Sequence, residues 1–344
     1  MTQVSSESWG QVAGQGPVDL WRLQSSQLQV ELLTLGAIIR SVRCRSSSGH
    51  MEDVVLGFDH LEGYVSDRRL FGAVVGRVTN RIARGRFMVD GTEYQLDLNS
   101  GPNAIHGGLH GFNKAIWRAS AVDGGVQLSH VSPDGDQRYP GEVQVSVTYL
   151  LQGETLSVEF HARSSRTTPI NLTNHSYVNL AGPDAVDIYD HQVAVYADSY
   201  LPVDETSVPT GEIRSVQDSP FDLRKPVAIG SQMKKLPGSG FDHNFCLCSP
   251  GDPWSERVVA RVSHPASGRV LQVTTTQPGL QLYTANVLDG SVVGKCGRGY
   301  GKHSAICLET QNWPDAVNQA SFPDTLLRPG EEYHHVTRYT FTTM

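Results

Sequence analysis

Alternation of apolar and polar residues dominates the chain. Val143, Val145, Val147 and Tyr149 alternate with polar positions, the period of a strand with one buried face. After the turn signal Gly153-Glu154 the alternation resumes at Leu156, Val158 and Phe160, which predicts an antiparallel pair. Phe87 and Val89 lead into Asp90-Gly91, and Tyr94 and Leu96 lead out, a hairpin pattern because Asp-Gly accepts the positive φ of a tight turn. Val259 to Val262 and Val270 to Thr276 flank His264-Pro-Ala-Ser-Gly268, a second hairpin, and Thr337-Tyr339-Phe341 closes the chain as a strand. Helical periodicity is confined to short segments such as Asp59–Tyr64. The pattern predicts an all-β protein.

Composition narrows the function classes. Thirty-four glycines and 18 prolines in 344 residues supply the turns that many short strands need. The length admits two domains, but candidate site residues run from Asn80 to Glu309, so a single domain over 1–344 is expected, with 1–16 a flexible lead-in. A net charge of −7 excludes a phosphate-binding basic face, and Arg77, Arg81, Arg84 and Arg86 read as a solvated strand and hairpin with one site arginine. No nucleic-acid or membrane partner is expected, and the chain is read as a monomer or homodimer. Five cysteines without Cys-x-x-Cys spacing, among them Cys246 and Cys248, suit neither zinc nor a bridge. Met1–Gly16 lacks the apolar core of a signal peptide, no apolar run reaches spanning length, and a cytoplasmic location is expected. Asn171-Leu-Thr and Asn174-His-Ser would be glycosylation sequons in a secreted protein.

Five stretches concentrate the chemistry. Cys307-Leu308-Glu309-Thr310-Gln311-Asn312-Trp313-Pro314 brings a carboxylate, amides and an indole together, with Asn318 shortly after. Amides read sugar hydroxyls with paired donors and acceptors, and an indole offers a flat face to the C–H side of a sugar ring. Asn174-His175-Ser176-Tyr177 sets a histidine among hydrogen-bonding residues, and histidine is the default acid near neutral pH. The others are Asn80-Arg81, the His106-Gly107-Gly108 loop and Asp242-His243-Asn244. That loop lacks the Lys-Ser/Thr ending of a phosphate loop.

In this order the five stretches, together with Phe322-Pro323 through Leu327-Arg328-Pro329-Gly330-Glu331, resemble the galactose mutarotase (aldose 1-epimerase) family from about Gly36 to the C-terminus. Val178 stands where an aromatic residue is common, and Trp313 where the ring varies. The resemblance implies a large antiparallel β-sandwich of the galactose mutarotase type, with the sugar site in a cleft on one sheet. It implies Glu309 as the base on the C1 hydroxyl and His175 as the acid on the ring oxygen. Asn80, Arg81, His106, Ser176, Tyr177, Asp242 and Gln281 would hold the sugar, and His106 could share the acid role. The chemistry asks for one acid and one base on opposite sides of the sugar, with no metal and no cofactor. An imidazolium beside acidic residues is expected to keep its proton, so the acid limb of a pH profile would belong to Glu309 and the basic limb to His175. A hexose-6-phosphate 1-epimerase, a glycoside hydrolase and a non-catalytic sugar-binding protein remain as rival readings.

Overall fold

In the computed structural model, residues 1–238, 240–247 and 255–344 are described, and Cys248 lies outside them. Three antiparallel sheets make up most of the molecule. The N-terminal sheet has five strands in chain order from Gln3–Val12 to Met51–Asp53. A nine-stranded sheet runs from Arg118–Val122 through Val143–Gln152 and Thr155–Ser164 to the C-terminal strand Tyr333–Thr343, then through Arg269–Thr275 to Val227–Ala228. A six-stranded sheet holds Tyr177–Val178, Ile306–Gln311, Gly279–Tyr283 and Asp242–Cys246 side by side, followed by Ser199–Tyr200 and Arg214–Ser215. The described residues contain only two α-helices, Leu61–Ser66 and Ile229–Met233.

The predicted alternation decides which side chains enter the core. Val145, Val147, Tyr149, Val158 and Phe160 turn inward from the large sheet and meet Leu280, Leu282, Ile306 and Leu308 from the six-stranded one. Each such aliphatic side chain contributes about 1.5–3 kcal/mol on burial. Where Tyr149 brings a hydroxyl into this core, it donates to the carbonyl of Ala37 at 2.6 Å, so no polar atom is stranded there. The Phe87–Leu96 hairpin forms as expected, with Arg86–Val89 paired to Thr92–Gln95 and both Asp90 (φ 50°) and Gly91 (φ 76°) left-handed.

Two local expectations need correction. The first residues are ordered as a strand: Gln3–Val12 pairs with Gly16–Gln24, Val4 packs on the main core and Trp9 on a second cluster beneath the guanidinium of Arg40. Apolar residues spaced along that strand anchor it, although no single run of them is long. Arg77 is not solvated. It is buried, donates to Ser132 Oγ and to the carbonyls of Ser132, Pro133 and Pro140, and burial pulls its guanidinium down to about 10. Both sequon asparagines, Asn171 and Asn174, are buried, so neither amide is accessible to a glycosylating enzyme in the folded chain.

Candidate active site

The centre of the six-stranded sheet has one apolar and one polar face. Along Ile306–Gln311, Ile306 and Leu308 enter the main core while Glu309 and Gln311 take the other side. Register aligns the neighbours: Glu309 pairs with Gln281, and Gln281 with Asn244. Asp242 lies two residues before Asn244 and shares its face. Gln281 Nε2 donates to Asp242 Oδ1 at 2.7 Å, and Gln311 Nε2 donates to Asn244 Oδ1 at 3.2 Å and to Gln281 Oε1 at 3.4 Å. Gly279 keeps this face open, since a Cβ there would stand 2.6 Å from Asn244 Oδ1.

Two small ladders bring the remaining residues over this face. Thr173–Asn174 pairs with Val74–Val75, and the backbone of His175 bonds to Ala73 and Gly72, which fixes its position at both ends. Its ring stacks on Tyr177 (centroids 5.0 Å, 17° between planes) and stands with Nε2 3.6 Å from Glu309 Oε1. Side-chain exposure is 6% for His175 and 3% for Glu309, so the pair is almost dry. In the second ladder, Arg81–Ile82 pairs with Ala104–Ile105, placing Arg81 and His106 together. Gly107 is required at the turn that follows, because at φ 81° a Cβ would fall 1.9 Å from the carbonyl oxygen of Gly76. The His106 ring meets that of His175 edge-on at 5.6 Å. Its Nδ1 accepts the backbone N–H of Asn80 at 3.2 Å, so the proton of the neutral ring sits on Nε2. Asn80 itself has φ 61° and caps the next N–H, that of Arg81, with its own Oδ1.

Burial governs the protonation of the pair. It raises the Glu309 carboxyl well above the usual carboxylate range, helped by the charge of Asp242 and opposed by Arg81. Burial also pulls His175 down to about 4, the reverse of the proton retention expected from its acidic neighbours. His106 is pushed well below its ordinary value by burial, then by His175 and Arg81. Several buried polar atoms around the pair lack a partner within the protein: Glu309 Oε2, His175 Nδ1, Arg81 Nε and Gln311 Oε1. Such atoms are costly unless water or a polar ligand satisfies them. Arg81 Nη1 and Asp242 Oδ2 are 4.0 Å apart at the rim, with Asp242 35% exposed.

Several residues singled out by sequence serve the scaffold. Tyr177 is buried, donates its hydroxyl to the carbonyl of Arg69 and backs His175, with no face left for a sugar. Ser176 Oγ donates to Asn174 Oδ1, whose amide in turn donates to Gly72. Trp313 packs against Phe322 and donates its indole N–H to Pro278. Asn312 ties Pro323 and Asp324, and Asn318 ties Arg86 and Asp315. Val178 enters the main core from the strand face opposite to Tyr177. Asn244 carried no assigned role in the sequence, and only its register beside Gln281 reveals one. The acid and base candidates also adjoin each other, not facing across a ring, as the separation of Glu309 and His175 shows.

Comparison with known proteins agrees with this architecture. A family model described as aldose 1-epimerase matches residues 19–340. Galactose mutarotase of Bos taurus is 54% identical over 329 residues, covering 96% of this chain and 95% of the relative. Aldose 1-epimerase of Escherichia coli K12 is 35% identical over 322 residues, 91% of each chain. Among solved structures, an aldose epimerase homologue from C. elegans superposes with a TM-score of 0.87 at 31% identity, covering 93% of this chain and 97% of its own. Galactose 1-epimerase of Lactobacillus acidophilus gives 0.85 at 27% identity, covering 100% and 99%. This chain belongs to the aldose 1-epimerase family.

Proposed function

We propose that the protein interconverts the α and β anomers of free hexoses, galactose and glucose among them, with Glu309 as base and His175 as acid. The observation that carries this reading is the buried Glu309–His175 pair at 3.6 Å, surrounded by partnerless polar atoms. The C1 hydroxyl and the ring oxygen share one carbon, so adjacent groups can serve both from one side. Glu309 takes the C1 hydroxyl proton while His175 gives one to the ring oxygen, and the bond between C1 and the ring oxygen breaks. The open aldehyde turns about C1–C2. On closure the hydroxyl that was the ring oxygen attacks the other face of C1 and returns its proton to His175, and Glu309 returns its own to the new anomeric hydroxyl. Both groups end as they began.

The pair needs one proton between them. In the empty site burial favours its neutral form, carboxylic acid beside imidazole. Sugar hydroxyls that donate to Glu309 favour the charged form, which has the same proton count. His106 donates from Nε2 as a neutral ring, and Arg81, Asn80, Asp242 and Gln281 hold hydroxyls. Ser176 and Tyr177 act behind the site, through Asn174 and His175. The same reading takes 1–344 as one domain, supported by a core that draws on Leu23 and Phe341 alike, and places the protein in the cytoplasm. No helix among the described residues is long and apolar enough to cross a membrane.

Polarimetry on freshly dissolved α-galactose and α-glucose tests the activity. Faster decay of rotation than in buffer is expected, with no reducing sugar released from disaccharides. Decay at the buffer rate for both sugars would overturn the reading.

A further inference from the structure

A second carboxylate–imidazole cluster lies on the outer face of the nine-stranded sheet. Glu159 and His161, two apart on Thr155–Ser164, point away from the core that Val158, Phe160 and Ala162 enter. His334 on the C-terminal strand stands directly opposite His161. Nε2 of His161 is 3.1 Å from Glu159 Oε1, and Nε2 of His334 is 2.8 Å from the same oxygen. The two rings stack at 4.2 Å with 17° between their planes. On its other side, His161 Nδ1 meets Glu332 Oε1 at 3.2 Å, and Arg163 Nη2 lies 3.5 Å from that oxygen.

Counting protons exposes a deficit. Three nitrogen–carboxylate contacts each require a hydrogen, and two neutral imidazoles carry two between them. If His161 donates from Nδ1 to Glu332 and His334 from Nε2 to Glu159, the His161 Nε2 lone pair faces a carboxylate oxygen. A positive charge placed between them removes the conflict. We propose that a zinc ion binds there, held by Nε2 of His161, Nε2 of His334 and the carboxylate of Glu159.

The ligand atoms all lie within 4.8 Å of one another. Tetrahedral zinc with bonds of about 2.0–2.1 Å sets its ligand atoms about 3.3 Å apart. The two nitrogen–oxygen contacts would open slightly, and the stacked rings would turn so that both Nε2 lone pairs meet at the ion. Two imidazoles and one carboxylate suit zinc and disfavour magnesium and calcium, which take oxygen. Glu332 supplies the outer carboxylate that orients a metal-binding imidazole. Both acids are negative and Arg163 cancels one charge, so the cluster keeps a net negative charge for a cation. The side chains are 29–47% exposed, so solvent can reach the fourth position. A bound ion would clamp the C-terminal strand to its neighbour and stabilise the fold by mass action.

The test is calorimetric titration of the full chain, stripped with EDTA, with zinc chloride. One ion per chain is expected at micromolar free zinc, with affinity reduced at least tenfold in Glu159→Gln and abolished in His161→Ala/His334→Ala. X-ray absorption of the loaded protein is expected to show nitrogen and oxygen donors. Both variants should retain wild-type polarimetric activity, which certifies their fold. Binding should weaken as the pH is lowered towards 5, because protons compete for the imidazoles. No saturable binding at micromolar zinc would overturn the proposal, as would equal binding by the double variant or sulfur donors in the spectrum. If His161 resolves the deficit by protonation alone, the titration shows no binding.

Discussion

Glu309 with His175, and Glu159 with His161 and His334, are built from the same side chains and behave in opposite ways. The first pair is sealed from water, and burial drives its carboxyl up and its imidazole down. The second cluster is open to solvent, and although partial burial raises the Glu159 carboxyl, the adjoining imidazoles hold it below its ordinary value. The closer contacts belong to the exposed cluster, yet the buried pair has the perturbed protons. Desolvation, more than distance, separates the proposed proton-transfer pair from a surface ion cluster.

The largest break in this contrast is Glu309→Gln, which preserves shape and removes the base. A fall in kcat of about 10²–10⁴ with little change in KM is expected from polarimetric progress curves. Retention of half the activity would remove Glu309 from the mechanism. His175→Asn is expected to cost about 10², because water can protonate a departing ring oxygen less effectively than a placed acid. If neither rate nor pH profile moves, His175 is structural and His106 becomes the acid to examine.

Burial also reverses the expected order of the pH limbs. His175, lowered to about 4, takes a second proton only near that pH, so activity should fall on the acid side through the imidazole. Glu309, raised well above the carboxylate range, loses the last proton on the alkaline side. The pair therefore keeps its single proton across a broad plateau, and the limbs report the pair and not separate residues. A kcat/KM profile from pH 3.5 to 10 checks this. An acid limb that survives unchanged in His175→Asn would contradict the reversal.

Asp242→Asn is expected to raise KM about tenfold through weaker hydroxyl binding at the half-open rim. It should also shift the alkaline limb to lower pH, since the charge of Asp242 helps hold Glu309 protonated. The smallest effect belongs to the exposed cluster. Glu159→Gln should leave kcat/KM within about twofold, as surface substitutions remote from the site usually do. EDTA should likewise leave kcat/KM unaltered while lowering the thermal midpoint of zinc-loaded protein.

Much of this was legible in one dimension. Alternation located the strands, Asp90-Gly91 located a hairpin, and Glu309 and His175 stood out by the company they keep. Arg77 misled because a guanidinium reads as surface, whereas its donors are met one by one by buried carbonyls. Trp313 and Tyr177 misled because an aromatic residue beside polar ones fits a sugar wall and a core equally well. Only packing against Phe322 and His175 distinguishes the two.

The sequence by itself determined the sheet-rich architecture and the candidate reacting groups, because strand period and functional-group chemistry are local properties. Tertiary structure alone decided which protons those groups hold, since desolvation depends on what the rest of the chain lays over them. It also decided the clustering of Glu159, His161 and His334: residues 161 and 334 share no spacing rule, and strand pairing sets them face to face.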